Sequence, residues 1–266
     1  MSIDNQKIAV VTGASSGIGA AFARQLAARK VNLLLVARRK HRLESLAAGL
    51  HSEFGVKAEI MAADLSNPHD VADLENRVSQ LENLDMLINN AGFGLIGAFA
   101  DVPITDTLSL IQVQLLASIR LCRAALPAML ARRSGAIINV ASIGAFIPKA
   151  LDASYCAAKS FLVVFTESLA QELAGSGVLV QALCPGFTLT EFHDSPHYAP
   201  YHVRERLPRF LWMTSDQLAA ASLKALPRGP VVFIPGLKNR LLVAIGRSAL
   251  TKLLLKMLAR RFNTPK

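Results

Sequence analysis

Short runs rich in Val, Ile and Leu recur at 7–12, 31–37, 58–62, 85–89, 136–141, 178–184 and 231–234. Unbroken apolar runs of this length read as strands covered on both faces. Between them lie segments of helical period, near 18–29, 41–54, 68–82, 105–132, 154–175 and 215–226. Strand–helix alternation builds βαβ units, whose right-handed crossovers give a parallel sheet with helices on both faces. The pattern predicts a single doubly wound α/β domain over 1–236. Residues 187–214 break the alternation with His, Pro, Tyr and Arg, which predicts a lid or substrate loop. From Leu237 onward, Leu241, Leu242, Ile245, Leu250, Leu253, Leu254 and Met257 recur at helical spacing with Lys and Arg between them. Residues 237–266 therefore predict a basic amphipathic helical extension.

Composition changes this picture mainly at the extension. With 52% hydrophobic and 18% charged residues, the chain has a sizeable core to bury, and disorder is excluded. The net charge is +10, but 237–266 holds eight basic residues and no acidic one, so the body carries 21 basic against 19 acidic residues. A near-neutral body without aromatic–basic interleaving argues against a nucleic-acid partner. The tail has two readings: a helix lying on an anionic membrane surface, or one docked on the body or a partner subunit. Three separated cysteines, Cys122, Cys156 and Cys184, sit in apolar runs and read as buried free thiols. No metal site is expected, the histidines of the insertion (His193, His197, His202) being scattered. No leader pattern opens the sequence and no apolar run reaches the length of a membrane span, so the expectation is a cytoplasmic protein.

The chemistry begins where the first strand ends, at Thr12-Gly13-Ala14-Ser15-Ser16-Gly17-Ile18-Gly19, followed at once by a helical stretch. Gly13 lets the chain turn off the strand. Gly17 and Gly19 remove side chains where backbone approaches a pyrophosphate and where helix meets strand. The helix N-terminus offers free N–H groups to phosphate, and Ser15 and Ser16 add hydroxyls. At the end of the second strand, where an acidic residue would bind the 2′-hydroxyl of NAD, stand Arg38 and Arg39. Guanidinium matches phosphate, so the reading is NADP(H) over NAD(H); alternatively the two arginines merely open a solvated helix. Asp64-Leu65 and Asn90-Ala91-Gly92 follow the third and fourth strands, at the carboxyl ends where open α/β sheets bind ligands. Asp64 also has a helix-capping reading.

Tyr155 and Lys159 lie four residues apart on a helical stretch and so share one face. A nearby ammonium favours the phenolate, which suits Tyr155 to general acid/base work on a carbonyl/alcohol pair. Ser142, after the fifth strand, offers a hydroxyl to the same oxygen.

These motifs, with the thirteen-residue gap from Ser142 to Tyr155 and the pair Pro185-Gly186, resemble the short-chain dehydrogenase/reductase family over roughly 5–235. The resemblance implies a seven-stranded Rossmann-type sheet, a Ser142/Tyr155/Lys159 site and a homodimer or homotetramer. It also implies that Lys159 holds the nicotinamide ribose and that Pro185, Gly186, Thr188 and Thr190 position the nicotinamide. Asp64 and Leu65 would touch the adenine, and Asn90 the adenosine side. One position departs: where the family has an asparagine in the long fourth helix, ordering a water that leads to the lysine, this chain has Gln114. The expected function is transfer of a hydride between NADP(H) and the carbonyl or secondary alcohol of an apolar substrate. The alternative is a nucleotide-binding sensor with little or no catalysis. Phe93, Ile143, Phe146, Phe187, Phe192 and Trp212 are expected around the pocket mouth.

Overall fold

The computed structural model describes residues 7–195 and 198–248. The elements run β1 (Ile8–Thr12), α1 (Gly17–Ala27), β2 (Asn32–Ala37), α2 (Lys40–Phe54), β3 (Ala58–Ala62), α3 (Pro68–Ser79) and β4 (Leu84–Asn89). A long helix follows: α4 (Ile104–Ile111), a π-helical turn (Gln112–Leu116) and α5 (Ala117–Ala131). Then come β5 (Gly135–Val140), α6 (Ala153–Glu172), β6 (Val178–Leu183), β7 (Thr188–Leu189), α7 (Val203–Arg206), β8 (Met213–Thr214), α8 (Ser215–Ala225), β9 (Val232–Phe233) and α9 (Leu237–Arg247).

Seven strands form one sheet in the order β3-β2-β1-β4-β5-β6-β9, every pairing parallel. The central strands are apolar at successive positions because both faces are covered. Val11, Leu35, Ile88 and Ile138 pack with Phe22, Leu26, Leu43 and Leu218 on the side of α1, α2 and α8. Their neighbours Val10, Leu34, Leu87 and Ile137 pack with Leu74, Leu121, Met129 and Leu169 on the side of α3, α5 and α6. This is the two-residue alternation of a strand inserted between two helix layers. Chain order reverses at β1, so the carboxyl ends of β1 and β4 form the switch point where such sheets bind ligands.

Local signals set the boundaries. Asn67 caps α3 by accepting from the His69 amide, with Pro68 at the first helical position. Asp64 accepts from the Ser66 amide and hydroxyl instead, so the capping alternative for Asp64 falls to Asn67. Thr214 and Gln217 form a reciprocal capping box on α8.

Two expectations need correction, and part of a third falls outside the described residues. The helix over 104–131 is, by length and composition, long and apolar enough to cross a membrane, contrary to the sequence expectation. Its faces explain the composition: Leu110, Val113, Leu121, Ala125 and Met129 are buried in the protein's own core. The insertion is less irregular than its composition suggests. Its ends pair as a parallel two-stranded sheet, β7 with β8, whose two-residue strands are too short to leave a periodic signal. The extension is described only to Ser248; the rest of the predicted basic helix and His197 lie outside the described residues.

Candidate active site

A cavity of about 960 Å³ runs along the carboxyl ends of the central strands, from the glycine loop to the insertion. Its two ends differ in what builds them.

At the first end, β1 turns at Gly13 (φ 65°) and α1 starts at Gly17 (φ 54°), both in the left-handed region that favours glycine. A Cβ on Gly13 would meet Asn90 Nδ2 at 2.8 Å, and one on Gly17 would meet Thr190 Cγ2 at 2.9 Å. Gly19 lies against the Gly13 carbonyl, where a side chain has no room. Thr12 Oγ1 accepts from the amides of Asn90 (2.9 Å) and Ala91 (3.0 Å), and Asn90 Nδ2 donates to Thr12 O (2.9 Å). These bonds tie β1 to β4 across the switch point. Ser16 makes no side-chain cap, so the first amides of α1 are left to another acceptor.

The arginines at the end of β2 diverge. Arg38 is exposed, 3.8 Å from Asp64. Arg39 donates to Ser15 Oγ (3.0 Å), Ser16 Oγ (2.8 Å) and Glu191 Oε2 (2.8 Å). Glu191 also accepts from Arg42, and the two guanidinium groups hold its carboxyl below the usual carboxylate range.

At the other end, Ser142, Tyr155 and Lys159 line the wall. Tyr155 and Lys159 come from one face of α6, with Lys159 Nζ 5.6 Å from the Tyr155 ring centre. Lys159 is buried and donates to Val140 O (2.9 Å); burial lowers its ammonium to about 7. The expected lowering of the Tyr155 phenol by the Lys159 ammonium is not what the site does: burial raises the phenol, a hydrogen bond with Ser142 opposes that rise, and the negative charge of Asp152 adds to it. Ser142 Oγ also accepts from the Gly144 amide (3.0 Å).

The structure brings every predicted site residue to this cavity wall except two, Gly19 and Gln114. Gly19 acts through close packing. Gln114 is buried behind Gly92 and Phe93: its Nε2 donates to Phe93 O (2.6 Å), while its Oε1 has no partner among the described residues. It sits in the π-helical turn, whose extra residue shifts the local register of the helix. Of the expected mouth residues, Phe93, Ile143, Phe187 and Phe192 line the cavity, whereas Phe146 and Trp212 do not. Trp212 packs on Phe187 and His193, and Phe146 lies under Arg247 of α9. His193 is enclosed by aromatic rings, and burial drives its pKa down to about 4.

Sequence reasoning missed a polar cluster at this end. Asp152, at the start of α6, is buried, makes no helix cap, and pairs with Lys149 (2.9 Å). The Tyr198 hydroxyl, brought by the insertion, donates to Asp152 (3.4 Å). The Tyr198 ring fills the space that the missing side chain of Gly94 leaves. The spacing of Asp152 from Tyr155 was visible in the sequence, but its partner forty-six residues on was not.

The family model for short chain dehydrogenase matches residues 7–197. A short-chain dehydrogenase from Sphingobium yanoikuyae, solved in complex with NADPH, is 35% identical, with a TM-score of 0.81 and 98% of this chain and 97% of that one covered. A bulky-bulky ketone specific alcohol dehydrogenase from Comamonas testosteroni is 30% identical, with a TM-score of 0.78 and 98% and 96% covered. A very-long-chain 3-oxoacyl-CoA reductase of Pyrenophora tritici-repentis is 37% identical over 181 residues, 66% of this chain and 53% of that reductase's length. The chain belongs to the short-chain dehydrogenase family, of the Ser-Tyr-Lys type, and is an oxidoreductase that takes a nicotinamide cofactor and a small-molecule substrate.

Proposed function

We propose that the protein is an NADP(H)-dependent carbonyl reductase or alcohol dehydrogenase acting on apolar ketones, aldehydes or the matching alcohols. The observation that carries this reading is the joining of the glycine loop, two arginines and Ser142/Tyr155/Lys159 along one cavity. The residues fit the cofactor. The glycine positions leave a cradle that a Cβ would obstruct, α1 begins without a side-chain cap, and β2 ends on arginines rather than an acid.

The glycine loop with Ser15 and Ser16 would hold the phosphates, Arg38 and Arg39 the 2′-phosphate, and Lys159 with Pro185–Thr190 the nicotinamide end. When bound, the cofactor supplies or accepts the hydride. The chain's own residues handle the proton. Tyr155, kept protonated by burial and Asp152, is poised to donate from its hydroxyl to a carbonyl oxygen. Ser142 holds the same oxygen. Among the described residues Lys159 has one acceptor, Val140 O, which leaves it further donors. Phe93, Phe187 and Phe192 favour an apolar substrate body. The names of the ketone-specific and 3-oxoacyl-CoA-reducing relatives agree with a ketone substrate. We also propose a homo-oligomer that covers the exposed Ile104, Leu108, Phe161 and Val164 of α4 and α6.

The test is NADPH consumption over a panel of aliphatic, aromatic and long-chain ketones and aldehydes. Tyr155→Phe should lower turnover by about 10³-fold while NADPH binding, followed by calorimetry, is retained. Cofactor binding without turnover on any panel member would favour a nucleotide-binding sensor instead.

A further inference from the structure

Helix α9 has two opposed faces, and among the described residues only one of them is packed against the body. On the docked face, Asn239 and Val243 are buried, and Asn239 Nδ2 donates to Pro235 O (2.7 Å). Gly246 lets the helix lie on Ile147, whose Cγ1 is only 2.7 Å from where a Cβ would stand. Leu242 lines the cavity. Contacts at 239, 242, 243 and 246 fix the rotation of α9 about its axis. At 3.6 residues per turn, positions 237, 241 and 245 then fall on the opposite side. There Leu237, Leu241 and Ile245 are 79%, 58% and 52% exposed. Phe210 of the insertion, 62% exposed, is joined to this stripe by Lys238, whose Nζ lies 5.2 Å from the ring centre.

Cations flank the stripe. Lys238 and Arg240 stand on its two sides, and their hydrogen bonds go to neutral carbonyls, Lys238 to Phe210 O (3.4 Å) and Arg240 to Ile234 O (3.0 Å). Arg209 adds a further charge beside Phe210, and 237–266 contains no acidic residue.

We infer that the Leu237/Leu241/Ile245/Phe210 surface, with its flanking Lys238 and Arg240, seats the protein on an anionic lipid bilayer. Apolar side chains enter the acyl boundary while the cations meet lipid phosphates and snorkel to the interface. The charge pattern selects this occupant. A second copy placed symmetrically would bring basic flank against basic flank, and three aliphatic side chains and one ring give far less area than a stable dimer needs. A nucleic acid would satisfy the cations but leave the stripe in water. Because Leu242 lines the cavity, the bilayer would lie beside the cavity wall. The inference does not depend on which reaction the cavity supports.

The experiment is co-sedimentation of the full chain with vesicles, one set of phosphatidylcholine alone and one of phosphatidylcholine with phosphatidylglycerol. Binding is expected on the mixed vesicles at low salt, falling about tenfold or more on neutral vesicles or in high salt. Leu241→Asp with Ile245→Asp should lower partitioning about tenfold or more without changing the melting temperature, since both side chains are exposed. If that variant melts early, Lys238→Glu with Arg240→Glu decides the matter, with cofactor binding as the folding control and the same loss expected. The inference is overturned by no binding to mixed vesicles, by equal binding of the folded variants, or by a fall in oligomeric mass in the Leu241/Ile245 variant.

Discussion

The two ends of the cavity are made of different materials. The glycine-loop end is built from backbone: turns at Gly13 and Gly17, close packing at Gly19, and main-chain bonds that join β1 to β4 through Thr12 and Asn90. It rests on strands buried on both faces, so its groups have little freedom to move. The insertion end is built from side chains that meet across long stretches of chain, such as Tyr198 with Asp152 and Phe192 with Tyr155 (5.8 Å between ring centres). Lys159 belongs to the first kind of construction, being packed on β5, whereas Glu191 joins the two ends. A backbone-built site tolerates few substitutions and gives large effects. A side-chain-built one should give smaller, graded effects that depend on the substrate.

After the loss expected for Tyr155→Phe, the next largest effect is expected at Lys159. Replacing it with Met should lower turnover by about 10²-fold or more, as loss of a positioned charge beside the proton donor requires. The same change should raise the melting temperature near pH 6.5, because burial penalises the ammonium. Its folded pKa lies at about 7, below the ordinary lysine value of 10.5. Below pH 7 both folded and unfolded lysine are charged, and the folded state bears the full penalty. Between 7 and 10.5 the unfolded chain binds the extra proton, so wild-type stability rises with pH. The melting gap between variant and wild type should therefore narrow from pH 7 to 10. A constant gap would mean that Lys159 is not held in a desolvated site.

Most of this backbone-built end was legible in the sequence. Seven apolar runs became seven strands, and for the central ones burial on both faces leaves an unbroken signature. Glycines mark left-handed turns whatever surrounds them, and four residues of helix bring Tyr155 over Lys159. The insertion end was not legible for an equally physical reason. Two-residue strands have no period, Asp152 has its partner forty-six positions away, and Phe146 and Trp212 differ from Phe187 only in which neighbour covers them. Gln114 was legible as a departure but not as a placement. The π-helical turn sets it behind Gly92 and away from the cavity wall, and no property of the residue types announces that turn.

The next effect tests whether the arginines serve the cofactor. Arg39→Ala should weaken NADPH binding about tenfold or more and leave NADH within about twofold, measured by calorimetry on both. Equal losses for both cofactors would assign Arg39 to holding Ser15 and Ser16 in place rather than to the 2′-phosphate. A smaller effect of opposite sign is expected at Glu191. Its carboxylate already occupies one arm of Arg39 and also binds Arg42, so it competes with any phosphate that comes to the same guanidinium. Both partners are substantially exposed, which limits the change. Glu191→Gln should tighten NADPH about threefold, with NADH unaffected and a steeper dependence on salt. Weaker NADPH binding in this variant would show that Glu191 orients Arg39 for phosphate instead of competing for it.

The smallest effect, and the one that separates the two constructions most finely, is expected at Gln114. Its Nε2 reaches the Phe93 carbonyl at 2.6 Å, and asparagine, one methylene shorter, cannot hold that bond from the same backbone. Its Oε1 has no partner among the described residues to lose. Gln114→Asn should therefore free the Gly92–Phe93 segment, which lines the cavity, and cost about 1 kcal/mol of stability. Because Phe93 touches the substrate end and Gln114 does not line the wall, KM for an apolar ketone should rise a few-fold while kcat and its pH profile stay unchanged. A shifted pH profile with constant KM would place Gln114 in a proton path to Lys159 rather than under Phe93. The unpartnered Oε1 would then be the atom through which that path runs.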